Sequence, residues 1–116
     1  MHRDGFNPDD VQLEDLLCDF CGIAAWAQGT PCVEGHRGSL ICGDCLSKAW
    51  LQLAVREIGL PIGTCCLCLQ PSDDPGFVGS RTEGHACRQC VKRAAGALHK
   101  SKDWPWQKPA MDSTDP

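Results

Sequence analysis

Hydrophobic and polar positions along the 116-residue chain alternate between helical periodicity and none at all. In LSKAWLQLAVREIG, Leu46, Ala49, Trp50 and Leu53 recur at i, i+3, i+4 and i+7, the spacing of one buried helix face. VKRAAGALHK repeats the pattern with Val91, Ala94, Ala95 and Leu98. A third helix is predicted from Asn7 as cap, through Pro8 and the dipole-facing Asp9 and Asp10, to about Leu17, with Val11, Leu13, Leu16 and Leu17 on its apolar side. The intervening stretches are rich in Gly, Pro and polar residues, with short candidate strands near residues 39–41 and 77–78. From Ser101 onward the pattern ends, and SKDWPWQKPAMDSTDP is expected to be a disordered tail over residues 101–116. Trp104-Pro105-Trp106 stands out there, as a docking motif for a partner or as a cover for the second half of the chain.

With three Phe, four Trp and no Tyr, these helices have few large side chains to pack against. A chain this size then needs a covalent or coordinative staple. Ten cysteines supply the means. Eight of them form pairs: Cys18-x2-Cys21, twenty residues, Cys42-x2-Cys45, then Cys65-x2-Cys68, eighteen residues, Cys87-x2-Cys90. A C-x2-C turn aims two thiolates at one point, and a second pair completes a tetrahedron, so the pattern predicts two structural Zn2+ ions. Disulfides would close very small loops at each pair, and a dithiol oxidoreductase would expect one C-x-x-C near a βαβ pattern rather than four pairs at matching intervals.

Both periodic segments follow the second knuckle of a unit, where helix N–H groups and the macrodipole favour anionic sulfur. The expected fold is a small zinc-stabilised α+β chain. It has two tandem treble-clef or zinc-ribbon-like C4 fingers, each a knuckle, short hairpin, knuckle and helix, behind an N-terminal helix. The divisions are residues 1–60, 61–100 and the tail. The repeat favours sequential sites, Cys18, Cys21, Cys42 and Cys45 on one ion and Cys65, Cys68, Cys87 and Cys90 on the other; a cross-braced arrangement remains open.

Within the first unit, LCDFCG and SLICGDCLSKAW resemble the N-terminal zinc-binding domain of ClpX-type protein unfoldases, at Cys18, Phe20, Cys21, Gly22, Cys42, Asp44 and Cys45. The resemblance covers about residues 16 to 55; the second unit shares its cysteine spacing and helix pattern, with Leu69 where the first has Gly22. It implies a treble-clef zinc site and a role in dimerisation and in contacting adaptors or substrates. No G-x-x-x-x-G-K-[ST] phosphate loop occurs, so the ATPase module is not part of this sequence.

Four thiolates per site leave His36 and His85, each in an EGH triplet, as turn or supporting residues, and Cys32 and Cys66 as extra thiols. In TCCLC, Cys66 falls opposite Asp19 of the first knuckle and is the cysteine left over. No H-x-E base motif or paired carboxylates accompany the cysteines, and the reading is non-catalytic. Formal charge is −4, with six acids against Arg3 in residues 1–21 and six Lys or Arg against Glu83 in residues 81–102. The cations Arg81, Arg88, Lys92, Arg93, Lys100 and Lys102 raise a nucleic-acid-binding alternative, weakened by the acidic pI and the absence of interleaved aromatics. With no apolar run long enough for a membrane span, and cysteines that favour metal, the expectation is a cytoplasmic protein-interaction module or adaptor with protein partners, a second copy among them, and no membrane.

Overall fold

A computed structural model of the chain describes residues 5, 7–35, 39–79, 84–101, 106 and 108. His36, Arg81, Lys102, Trp104 and Pro105 lie outside the described residues.

At the N-terminus the predicted helix over Pro8 to Leu17 is not formed; a single 3-10 turn, Leu13–Asp15, stands in its place. Asn7 does accept the Asp9 N–H through Oδ1 at 3.0 Å, the expected capping contact, but no helix propagates from it. Gln12 N–H then donates to Asp15 Oδ2 at 2.9 Å and starts a separate turn. Local side-chain bonds of this kind compete with the helical ladder, and a segment of about ten residues is too short to prevail without a packed face. Val11 and Leu13 are exposed, so nothing supplies that face.

The first unit continues as an antiparallel hairpin, β1 (Cys32–Glu34) and β2 (Leu40–Cys42), in register Val33 to Ile41. Strand β2 runs directly into α1 (Gly43–Trp50), with Cys42 as its cap. The periodic segment goes on beyond Trp50, but as a wider π turn, Leu51–Val55, in which Arg56 N–H donates to Leu51 O at 2.8 Å. Glu57 ends it in the left-handed region at φ 56°.

In the second unit the knuckle is flanked by β3 (Gly63–Thr64) and β4 (Pro71–Ser72), followed by the hairpin β5 (Phe77–Val78) and β6 (His85–Ala86). Helix α2 (Arg88–Lys100) follows Cys87 as α1 follows Cys42. The predicted helix faces are the ones that pack: Leu46, Ala49, Leu53, Val91, Ala95 and Leu98 are all buried.

The halves hold each other reciprocally. Helix α1 packs on α2. Phe20 of the first knuckle lies against Phe77 of the second hairpin, ring centroids 5.8 Å apart. Gly79 and Gly84, on that hairpin, lie against the backbone of Phe20 and Asp19, so close that a β-carbon at Gly79 would stand 2.5 Å from the Phe20 carbonyl. In return Gly35, after β1, abuts the second knuckle, its missing β-carbon 2.7 Å from the Leu67 carbonyl. Each knuckle is thus seated on the other unit's hairpin, and the glycines are what permit the approach.

Trp106 is buried against the first unit, its indole N–H donating to Ser47 Oγ at 2.9 Å and to Gly43 O at 3.2 Å. Lys108 sits over the Trp50 ring at 5.1 Å, while its backbone N–H donates to His99 Nδ1. At these two residues the tail is docked rather than disordered. The cover falls on α1 and the end of α2, not on the second unit alone: Gly43 and Ser47 accept the indole N–H and His99 accepts the Lys108 N–H.

Candidate metal centre

The local chain path that gathers the thiols is the same in both knuckles. Cys18 N–H donates to Ile23 O and Gly22 N–H to Cys18 O; Cys65 N–H donates to Gln70 O and Leu69 N–H to Cys65 O. Both turns close through a left-handed residue, Gly22 at φ 82° and Leu69 at φ 62°. Each knuckle is then tied to its own hairpin, by Asp19 N–H to Leu40 O at 2.9 Å and by Cys66 N–H to His85 O at 2.8 Å. The second pair of each group arrives with the helix, its first cysteine as cap and its second in the first turn.

The outcome is two groups, Cys18, Cys21, Cys42 and Cys45, and Cys65, Cys68, Cys87 and Cys90, in each of which all four sulfurs lie within 4.8 Å of one another. They are grouped sequentially, not cross-braced. A Zn–S bond of about 2.3 Å in a tetrahedron sets sulfurs about 3.8 Å apart. The Cys18–Cys45, Cys21–Cys42 and Cys68–Cys87 separations are 3.9, 3.6 and 3.9 Å. All ten cysteines are free of disulfides. Both groups therefore fit structural zinc ions, and both are all-thiolate sets.

Backbone N–H groups are already aimed at the sulfurs. Phe20 and Cys42 donate to Cys18 Sγ at 3.4 Å, Cys45 to Cys42 Sγ at 3.5 Å, and Leu67 to Cys65 Sγ at 3.4 Å. Such bonds favour thiolate over thiol. Side-chain hydrogen bonding with Cys42 and then with Cys45 pulls Cys18 far below the usual thiol range. The same bonding pushes Cys45 up, chiefly through Cys18. Four sulfurs this close cannot all ionise unaided; a divalent cation removes the conflict.

The remaining thiols stand apart from both groups. Cys32 is buried in β1, and burial, then Glu34 and Cys18, raises its thiol to about 11. Cys66 takes the place in the second knuckle that Asp19 takes in the first; burial raises it to about 11 as well. His85 bonds through Nδ1 to Ile62 O at 2.8 Å and belongs to neither sulfur group. Two contributors have no metal-motif signal in the sequence. Asp19 Oδ1 accepts the Leu40 N–H at 3.0 Å, tying the first knuckle to β2, and Trp106 anchors the helix that carries Cys45. A carboxylate between two knuckle cysteines was the available clue for the first; for Trp106, only its presence in a proline-rich tail.

Solvent reaches the two groups unequally. Cys21 is the half-buried cysteine of the first group, whereas in the second both Cys68 and Cys90 are half-buried. Among the described residues no helix is long and apolar enough to cross a membrane. No family model, curated protein or solved structure matches the chain.

Proposed function

We propose that the chain is a non-catalytic protein-interaction module or adaptor built on two tandem treble-clef C4 fingers, the first of ClpX-type character. Cys18, Cys21, Cys42 and Cys45 hold one zinc and Cys65, Cys68, Cys87 and Cys90 the other. The carrying observation is the composition of the two groups: four cysteine sulfurs each, with the ligands at the junctions of knuckle, hairpin and helix. An all-thiolate set keeps no coordination position for a substrate, and its metal contributes folding free energy of about 10–16 kcal/mol in small finger peptides. Zinc here is a strut that fixes surfaces, and recognition of a protein partner is what such surfaces serve.

A second reading has its own support. Lys92, Arg93, His99 and Lys100 are exposed along α2 while Val91, Ala94, Ala95 and Leu98 face inward, leaving a cationic outer face. That face suits a nucleic-acid backbone.

Selection from a displayed peptide library with zinc-loaded protein, repeated after chelation, separates the two. The interaction reading expects a shared motif that only the loaded protein selects. No motif, together with low-salt retention on DNA or RNA that K92E/R93E abolishes, overturns it in favour of the second.

A further inference from the structure

Two grooves lie where a helix of one unit comes near a hairpin residue of the other, and three positions of their linings correspond. One, about 440 Å³, includes Val33, Glu34, Leu67, Arg93 and Ala97. The other, about 430 Å³, is lined by Lys48, Leu51, Gln52, Arg56, Ile58 and Phe77. Lys48 and Arg93 each lie three residues beyond a ligand cysteine, Cys45 or Cys90. Phe77 faces Ala86 in its hairpin as Val33 faces Ile41 in the other. A cation beside an apolar strand residue therefore occurs twice, at corresponding places.

The grooves differ in what surrounds that cation. Glu34 accompanies Arg93 in the first. The second has no acidic residue in its lining and adds Arg56, with Leu51 and Ile58 as apolar floor and rim. Its wall is the π turn, a feature found disproportionately at functional sites. Just past it the left-handed Glu57 holds Ile58 51% exposed, with Val55 and Leu60 also exposed close by. Strained backbone that leaves aliphatic side chains in water beside the exposed Lys48 is an arrangement that folding alone does not require.

We propose that the groove of Lys48, Leu51, Gln52, Arg56, Ile58 and Phe77 docks a short acidic and apolar peptide segment of a protein partner. Carboxylates of the segment meet Lys48, and an aliphatic or aromatic side chain rests on Leu51, Ile58 and Phe77. This deepens the interaction reading and rests on it. Charge favours a peptide over a nucleic acid. The chain carries −4 before its zinc-bound thiolates are counted, which repels an extended polyanion, whereas a short segment feels chiefly the charges within a Debye length of about 8–10 Å. Phosphates, moreover, gain nothing from the apolar floor.

The test is fluorescence anisotropy with zinc-loaded full-length protein and three labelled probes. These are a short peptide alternating Asp or Glu with Leu or Phe, the same peptide with Ser at its apolar positions, and a single-stranded oligonucleotide of similar length. Saturable binding of the first probe is expected, weakened at least about tenfold by Lys48→Glu and by Ile58→Asp, and changed less than about twofold by Arg93→Glu in the other groove. Zinc stoichiometry by native mass spectrometry checks that each variant is folded. Absence of saturable binding, or binding indifferent to Lys48→Glu and Ile58→Asp, overturns the proposal. So does equal affinity for the Ser peptide or the oligonucleotide, which identifies a general polyanion surface. A library motif without acidic residues overturns this proposal and leaves the interaction reading standing; no motif, together with nucleic-acid retention that K92E/R93E abolishes, removes both.

Discussion

Leu69 occupies the left-handed position that Gly22 occupies in the other knuckle, at φ 62° against 82°. An L-residue in that region costs about 1–2 kcal/mol, while glycine loses about 0.5–1 kcal/mol more chain entropy on folding. Glycine should therefore exceed alanine at position 69 by about 0.5–1 kcal/mol, the reverse of its rank at an ordinary site. Direct Leu69→Gly confounds this with loss of the side chain, which is 41% exposed and so still partly packed. The informative comparison is Leu69→Ala against Leu69→Gly, with Gly22→Ala as the matched change in the first knuckle. Metal binding and folding are coupled in small zinc-stabilised units, so the difference should appear in zinc affinity. About 1.4 kcal/mol per tenfold translates it to roughly two- to fivefold tighter binding at the second site for Leu69→Gly than for Leu69→Ala. Competition against a chromophoric chelator measures this, and Gly22→Ala should weaken the first site by a similar factor. If the glycine variant binds zinc more weakly than the alanine variant, position 69 is not left-handed in solution and the equivalence of the knuckles fails.

Other expectations follow from the same contacts. Cys66→Ser should retain two zinc ions and Cys65→Ser only one by native mass spectrometry, because Cys66 lies outside both sulfur groups; two ions in Cys65→Ser would mean that Cys66 can substitute. Trp106→Ala should destabilise the fold by about 3–5 kcal/mol in chemical denaturation, the usual range for a buried Trp, and a change below about 0.5 kcal/mol would show that the tail is not docked. Gly84→Ala presses a β-carbon into the Asp19 carbonyl, so a substitution in the second unit should lower zinc affinity at the first site; an effect confined to the second site contradicts the reciprocal packing. Cys32 keeps its proton in the folded chain to about pH 11 against 9.0 for an ordinary thiol, so its stabilising contribution is complete below pH 9 and is lost as pH rises towards 11. Alkylation of Cys32 at pH 8 as fast as a free thiol would contradict that burial.

The metal groups were legible because tetrahedral coordination imposes a spacing that few other needs produce, and the helix faces because burial imposes periodicity. Both signals are local. The N-terminal segment misled for the same reason: Asn7, Pro8 and Asp9 are genuine start signals, but a helix of that length requires a surface to lie on, and none is supplied to Val11 or Leu13. The π turn after Trp50 leaves the apolar spacing intact up to Leu53 and so has no mark in the pattern. Trp106 and the glycines 35, 79 and 84 act across long sequence separations, where one residue's meaning depends on a partner that periodicity does not name.

The reciprocal seating of knuckles on hairpins has a consequence for how such a surface can change. When two identical subunits meet about a two-fold axis, every substitution is made twice, and an interface or groove can vary only in ways that suit both copies. Here the partners share one chain, which keeps their effective concentration high and lets each position change singly. Glu34 opposite Val78, Lys48 opposite Arg93 and Gln52 opposite Ala97 are differences that a symmetric pair could not hold. The covalent link thus frees one half to keep the clasp while the other acquires a distinct face.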